Sequence, residues 1–197
     1  DAELITRIGY PLEGYSAIGI GPGLGTQPAT QKLLQYALSS HNQPLVLDAD
    51  ALNILSENKT WFNLVPENSI ITPHPKEFSR LFGEQSNDFE RIEIALEQAT
   101  RLKIVIVLKG HRTFIATPAG KGYFNTTGNA GMATGGSGDV LTGIITGLLA
   151  QGYASAEAAI MGVYLHGLAG DKAAALYGME AMIAGDIIEA LKTIHNS

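Results

Sequence analysis

Apolar and polar positions alternate in blocks along the chain, and these blocks predict strands and helices in turn. Short apolar runs predict buried strands at residues 17–20, 45–47, 69–72 and 104–108. Apolar residues three or four positions apart predict helices near residues 29–39, 51–55, 76–82, 88–102, 140–151, 156–177 and 186–194. Residues 113–117 and 122–125 flank a Pro-Ala-Gly-Lys turn and predict a hairpin.

This order of elements predicts the fold class. Strands that are apolar on both faces, each followed by a helix, belong to a parallel sheet covered by helices on both sides. We therefore expect an α/β fold with three layers, α/β/α, around a mainly parallel central sheet. A chain of 197 residues suits one domain spanning residues 1–197. Residues 1–8 resemble the end of a secondary-structure element and not the start of a protein. We therefore expect that N-terminal strands and helices are missing.

Composition and charge then narrow the classes of function. The sequence is 45% hydrophobic and 16% charged, as in a compact globular protein. A net charge of −6 without a cluster of basic residues argues against a nucleic-acid partner. The absence of cysteine excludes disulfides and thiolate metal sites within this sequence. Without a run of eighteen apolar residues or a signal peptide, we expect no membrane association and a cytoplasmic location.

A glycine-rich loop at residues 129–139 is the first candidate for chemistry. Gly135, Gly136 and Gly138 directly precede Asp139 and a predicted helix. Glycines let backbone N–H groups crowd around a ligand, and a helix start adds free donors and a positive dipole end. A carboxylate repels the anion that such a loop would bind, so Asp139 suits a base or a metal contact. The structural alternative is that Asp139 caps the helix.

Four further polar or glycine-rich clusters follow predicted strands. They are Gly21-Pro-Gly-Leu-Gly25, Asp48-Ala-Asp-Ala-Leu-Asn53, Pro73-His-Pro-Lys-Glu77 and Lys109-Gly-His-Arg-Thr113. Ligands in open parallel sheets bind beyond the carboxyl ends of the strands, so one face of the molecule gathers all of these clusters. The two aspartates, together with Glu77, could hold Mg²⁺ through water. His74, held between two prolines, could donate to a substrate or move a proton.

Each cluster also has a purely structural interpretation. The first glycine cluster could be a tight turn, the aspartates a capping network, His74 part of a surface turn, and the basic segment a solvated β-turn. His41, His111, His166 and His195 have no partner pattern, so we expect them to be structural or exposed. No spacing indicates a zinc site, Ser137 lacks a nucleophile elbow, and the Walker phosphate loop is absent.

Taken together, the motifs resemble the ribokinase-like superfamily, and especially its ADP- or ATP-dependent NAD(P)H-hydrate dehydratases. The matching motifs lie at residues 21–25, 47–53, 72–77, 108–110 and 129–139. The resemblance implies repair of hydrated NADH or NADPH, NAD(P)HX. A nucleotide with Mg²⁺ would phosphorylate the hydroxyl on C6 of the nicotinamide ring, and elimination of phosphate would restore the reduced cofactor.

The resemblance also implies roles for individual residues. Asp139 would be the catalytic base. The substrate site would comprise Gly23, Gly25, His74 and Asp139. The nucleotide site would comprise Lys109, Gly110, His111, Arg112, Thr113, Gly135, Gly136, Ser137 and Gly138. Asp50 and Glu77 would be the metal contacts, with Asn53 in the same polar network.

Two other functions stay open. One is a ribokinase-like small-molecule kinase for hydroxymethylpyrimidine, hydroxyethylthiazole or pyridoxal-type substrates. The other is a nucleotide-binding regulatory or scaffold subunit without catalysis. Relatives carry an N-terminal segment that contributes to the substrate site, and some carry a fused epimerase domain. Either could act as a partner here, and the alanine-rich helix at residues 154–175 favours a homo-oligomer. The nucleotide loops do not distinguish ADP from ATP.

Overall fold

One six-stranded sheet organises the protein, and the computed structural model describes residues 12–194 of it. The strands are β1 (Ile18–Ile20), β2 (Leu45–Leu47), β3 (Ile70–Ile71), β4 (Val105–Leu108), β5 (Phe114–Ala116) and β6 (Gly122–Phe124). They lie side by side in chain order. Strands β1 to β4 are parallel, and β4, β5 and β6 pair antiparallel. The mainly parallel sheet and the β5–β6 hairpin are both as predicted.

Seven α-helices connect and follow the strands within the described residues. They are α1 (Pro28–Ser40), α2 (Ala49–Glu57), α3 (Pro75–Phe82), α4 (Asp88–Leu102), α5 (Ser137–Ala150), α6 (Ser155–Tyr177) and α7 (Ala184–Leu191). Three 3₁₀ segments accompany them at Leu12–Gly14, Lys59–Leu64 and Ala130–Met132. None of these helices has the length and apolar character needed to cross a membrane.

The strands separate two hydrophobic cores because successive side chains point to opposite faces of the sheet. Ile106 and Leu108 of β4 pack in the core formed with α1 to α4. Val105 and Val107 of the same strand pack in the core formed with α5 and α6. This alternation explains why β4 is apolar at every position, and it confirms the three-layer α/β/α arrangement.

Small residues bring α5 and α6 close together on the second face. A Cβ added to Gly162 of α6 would lie 2.7 Å from Cγ1 of Ile145 in α5. A third apolar cluster, which includes Ala169, Ala173 and Ile187, joins α6 to α7. These contacts hold α5 against α6, and α6 against α7.

The bounds of α5 differ from the prediction in a way that matters for chemistry. Apolar periodicity predicts the helix from residue 140, but it begins at Ser137. Gly136 precedes it in the left-handed region, with φ 86°. Ser137, Gly138 and Asp139 therefore occupy the first helical turn. The expectations for residues 1–8 and for His195 fall outside the described residues.

Candidate active site

The loops that follow β1 to β4 meet at one edge of the sheet, because the carboxyl ends of parallel strands lie on the same side. The amide of Gly25, after β1, donates to Oδ2 of Asp50 at 2.8 Å, after β2. The amide of Lys109, after β4, donates to the Pro73 carbonyl at 2.9 Å, after β3. Four of the five predicted clusters are thus joined in two pairs by these hydrogen bonds.

The start of α5 is open to a ligand. Its N-cap residue, Gly136, has no side chain, so no side-chain cap bonds the first amides of the helix. Asp139 is the third helical residue and is not the cap. Its side chain is exposed and makes no hydrogen bond or ion pair with the other residues of 12–194. The helix start therefore presents free N–H donors next to a free carboxylate.

A lysine supplies a positive charge at this helix start. Nζ of Lys109 lies 2.6 Å from Oδ1 of Asp48, a carboxylate that is 1% exposed. The other oxygen of Asp48 accepts from the Thr142 hydroxyl of α5 at 2.9 Å. A Cβ added to Gly138 would lie 3.6 Å from both Lys109 Nζ and Asp48 Oδ2. The ammonium group is thereby held against the glycine-rich loop.

Glu77 is a second carboxylate near the same lysine. Its Oε2 lies 4.0 Å from Lys109 Nζ and accepts from the His74 amide at 2.8 Å. Two buried carboxylates therefore surround one ammonium group at the sheet edge.

His74 has a clear local function in the structure. It is the N-cap of α3, and its Nδ1 accepts from the amides of Lys76 and Glu77. Glu77 returns a bond to the His74 amide, which completes a capping box. The ring is about 44% exposed and also lines the cleft described below. Because Nδ1 is an acceptor, Nε2 carries the proton when the ring is neutral.

The first glycine cluster is a loop that Asp50 holds in place. Oδ2 of Asp50 accepts from Gly25, and Oδ1 accepts from Asn53 at 3.4 Å. Gly21 is required for close approach, since a Cβ there would lie 1.8 Å from the Asp48 carbonyl. Gly23 has open space around its Cα. These contacts give Asp50 a structural task at the place predicted for a metal contact.

A cleft of about 560 Å³ lies between the β4–β5 turn, the glycine-rich loop and α6. The predicted residues that line it are His74, Lys109, Gly110, His111, Thr113, Ser137 and Gly138. The predicted residues outside its lining are Gly23, Gly25, Asp50, Glu77, Arg112, Gly135, Gly136 and Asp139. Arg112 instead borders a neighbouring groove and donates to the Thr126 carbonyl at 3.1 Å.

His166 belongs to the site, although no local pattern predicted it. It lies on α6, lines the cleft and is 9% exposed, with Nε2 3.3 Å from Oγ of Ser137. Burial lowers the pKa of His166 to about 4, while a hydrogen bond with the Ser137 backbone raises it and the charge of Lys109 lowers it. The expectation that His166 is merely structural or exposed overlooked this contact, which spans 29 positions.

The loop at residues 128–131 is held by Asp171, a residue that no sequence motif indicates. Asp171 of α6 accepts from the Gly128 amide and from the Asn129 side chain, both at 2.9 Å. Asn129 in turn accepts from the Gly131 amide at 3.0 Å. This chain of bonds fixes one wall of the cleft against α6.

The carboxylates predicted as metal contacts are already engaged. Asp50 accepts from Gly25 and Asn53, and Glu77 accepts from His74 beside Lys109. No group of three histidine or acidic side chains within residues 12–194 could enclose a metal ion. The described residues therefore do not form a protein-only cage, although Mg²⁺ commonly binds through substrate phosphates with few protein ligands. A magnesium contact at Asp50 or Glu77 stays a prediction.

Comparison with known proteins identifies relatives of this chain. A family model described as NAD(P)H-hydrate dehydratase matches residues 7–193. The bifunctional NAD(P)H-hydrate repair enzyme Nnr of Moorella thermoacetica is 48% identical over 176 residues, which are 88% of this chain and 33% of that protein. The ADP-dependent (S)-NAD(P)H-hydrate dehydratase of Neisseria meningitidis is 44% identical over 191 residues, 90% of this chain and 62% of that protein.

Solved structures agree with these matches. The ADP/ATP-dependent NAD(P)H-hydrate dehydratase of Bacillus subtilis, co-crystallised with ATP and Mg²⁺, is similar with a TM-score of 0.78 at 34% identity. The match covers 92% of this chain and 64% of that structure. The fold is ribokinase-like, as expected. The chain thus spans less than two thirds of the length of each relative named here.

Proposed function

We propose that this chain, which belongs to the NAD(P)H-hydrate dehydratase family, catalyses the nucleotide-dependent dehydration of hydrated NADH or NADPH. The observation that carries the proposal is the exposed Asp139 in the open first turn of α5, directly after Gly138, which lies beside the Lys109 ammonium. A free base and an anion cradle at one place are the two elements that phosphorylation of a hydroxyl group requires.

Asp139 takes the proton from the hydroxyl on C6 of the hydrated nicotinamide ring. The oxygen then attacks the terminal phosphoryl group of ADP or ATP, and the shortened nucleotide leaves. Loss of the new phosphate from C6, with a proton from the neighbouring ring carbon, restores the double bond of NAD(P)H. The carboxylate is free for this role because no other described residue engages it.

The glycine-rich loop and Lys109 stabilise the transferring phosphoryl group. The amides of Gly135, Gly136 and Gly138, together with the dipole of α5, stabilise developing negative charge, while the Ser137 amide donates to the Thr134 carbonyl at 3.3 Å. The Asp48 contact keeps the ammonium in place beside Gly138 before the nucleotide arrives, so little reorganisation is needed. Mg²⁺ would enter with the nucleotide phosphates and neutralise their charge.

Several other predicted residues have positions that suit ligand contact. His111 and Thr113 line the same cleft as the glycine-rich loop and suit the nucleotide. The loop of Gly23 and Gly25 and the exposed ring of His74 border the sheet edge and suit the hydrated ring. The bifunctional name of a relative supports an epimerase acting on the same hydrate, as a fused domain or a separate partner.

A direct assay tests the proposal. The protein is incubated with hydrated NADH and either ADP or ATP, and recovery of the reduced nicotinamide absorbance is followed. Asp139→Asn should lower kcat by about 10²- to 10⁴-fold, since that is the usual contribution of a general base. Nucleotide affinity, measured by calorimetry, should change little. Glu84→Gln, at an exposed loop position, is the matched control and should retain activity.

Three different outcomes would contradict the proposed function. Phosphorylation of hydroxymethylpyrimidine, hydroxyethylthiazole or pyridoxal without recovery of NADH would identify a small-molecule kinase. Nucleotide binding without turnover of any of these substrates would identify a regulatory subunit. An unchanged rate in Asp139→Asn would remove that residue from the role of base.

A further inference from the structure

We propose that His166 is a positioning residue that acts through Ser137, aiming the serine hydroxyl at the phosphoryl group bound at the start of α5. The inference rests on the proposed function, because it assigns the hydroxyl a phosphoryl partner. The contact on which it depends is the 3.3 Å distance between Nε2 of His166 and Oγ of Ser137. Both side chains are buried, at 9% and 6% exposure.

Burying the imidazole of His166 at this position would be unfavourable if the side chain only filled space. His166 lies near Leu141 and Val163 in the wall of the cleft, between α5 and α6. An apolar side chain of similar size would fill this space without the cost of burying a polar ring. The ring is uncharged near neutral pH because burial lowers its pKa to about 4. A hydrogen bond to Ser137 is therefore what the imidazole adds.

The position of Ser137 gives that hydrogen bond a consequence. Ser137 is the first residue of α5 and lines the cleft next to Gly138, where the free amides of the helix point. A hydroxyl group donates one hydrogen bond and can accept others. When Nε2–H donates to Oγ, the hydroxyl hydrogen is released from His166 and can donate to a phosphoryl oxygen. The neutral ring with its proton on Nε2 is the form that produces this arrangement.

The charge of Lys109 also favours the neutral form of the His166 ring. Its ammonium lies beside Gly138 and opposes a second positive charge on His166. The ring therefore acts as a fixed donor and not as a charge for the nucleotide. His166 itself needs no contact with the substrate for this role.

A double-mutant cycle tests the proposal. Ser137→Ala and His166→Leu should each weaken ADP and ATP binding by about tenfold, the scale of one hydrogen bond to a charged group. The double variant should bind no more weakly than either single variant, because both remove the same hydrogen bond. His166→Gln, which keeps an N–H donor near the Nε2 position, should recover most of the affinity. Calorimetry measures all four.

His41→Leu is the matched control, because His41 is also a buried histidine but bonds the Leu12 carbonyl. Its effect on stability should be comparable, and its effect on affinity should not couple to Ser137→Ala. The second measurement is the tautomer of His166 in the free wild-type protein, read from imidazole ¹⁵N chemical shifts. The proton should be on Nε2. The tautomer measurement tests the proposal even if His166→Leu does not fold.

Two outcomes overturn the inference alone: additive losses in the cycle while the wild type binds nucleotide, or a proton on Nδ1. In the second case Ser137 would donate to the ring and its hydrogen would not reach a phosphate. Failure of the wild-type protein to bind ADP or ATP would overturn the proposed function and the inference together. The results therefore distinguish the two proposals.

Discussion

Lys109 and Asp48, which are 61 positions apart in the chain, form a 2.6 Å ion pair at the carboxyl edge of the sheet. The pair joins the end of β4 to the end of β2, and Thr142 ties it to α5. It is the only described ion pair in which the carboxylate is almost fully buried and lies within 3 Å of its partner. Its contribution to the free energy of unfolding can be measured by mutating the two residues.

Breaking this pair should be costly. Lys109→Met leaves the Asp48 carboxylate buried without its cation, and the free energy of unfolding should fall by about 3 kcal/mol. A double-mutant cycle with Asp48→Asn in urea should return a coupling energy of similar size. The control is Lys103 with Glu67, a pair at the same 2.6 Å distance whose side chains are about two-thirds exposed. Its coupling should be below about 1 kcal/mol, and equal coupling in both cycles would contradict the argument.

The two glycines that follow β1 should differ in their tolerance of a side chain. Gly21→Ala places a Cβ 1.8 Å from the Asp48 carbonyl at a φ of 138°, so unfolding should become easier by at least about 3 kcal/mol. Gly23→Ala meets open space at a φ of 65° and should cost about 1 kcal/mol. Thermal and urea unfolding measure both changes. Similar losses in the two variants would show that the close approach at Gly21 is not what constrains the loop.

Stability should depend on pH through His166. Burial lowers the pKa of His166 to about 4 in the folded protein from an ordinary value of 6.5, so the unfolded chain binds more protons between these values. Stability should therefore fall by about 3 kcal/mol as the pH drops from 6.5 to 4, and it should not change through this group above 6.5. Urea titrations across this range should show a shallower dependence in His166→Gln. An identical dependence in the variant would exclude His166 as the source.

Asp50 should act as the anchor of the Gly25 loop. Asp50→Ala removes the charge-assisted bond from the Gly25 amide, so KM for the hydrated cofactor should rise by about tenfold. The concentration of Mg²⁺ required for half-maximal activity should stay the same. A higher Mg²⁺ requirement with unchanged KM would instead support the sequence-based prediction of a metal contact. Glu57→Gln, an exposed change at the end of α2, serves as the control.

The sequence anticipated most of the fold for reasons that are visible in single elements. Residues 104–108 are apolar throughout, and 105–108 form β4, an inner strand with a core on either side. The start of α5 was misplaced because glycine and serine have weak helix preference. Only the surrounding packing makes Ser137 and Gly138 helical. His74 illustrates a second kind of difference: its flanking prolines indicate a side chain held ready to contact a substrate, and in the structure the ring also caps the start of α3.

The amino-acid sequence by itself determined the α/β class, the strand positions and the five motifs that gather at one sheet edge. Hydrophobic period and glycine spacing are local properties, so they can be read without coordinates. The tertiary structure decided which polar atoms meet: Thr142 with Asp48 across 94 positions, and His166 with Ser137 across 29. Such contacts depend on sheet register and on how closely α5 and α6 pack. No residue's immediate neighbours in the chain contain that information.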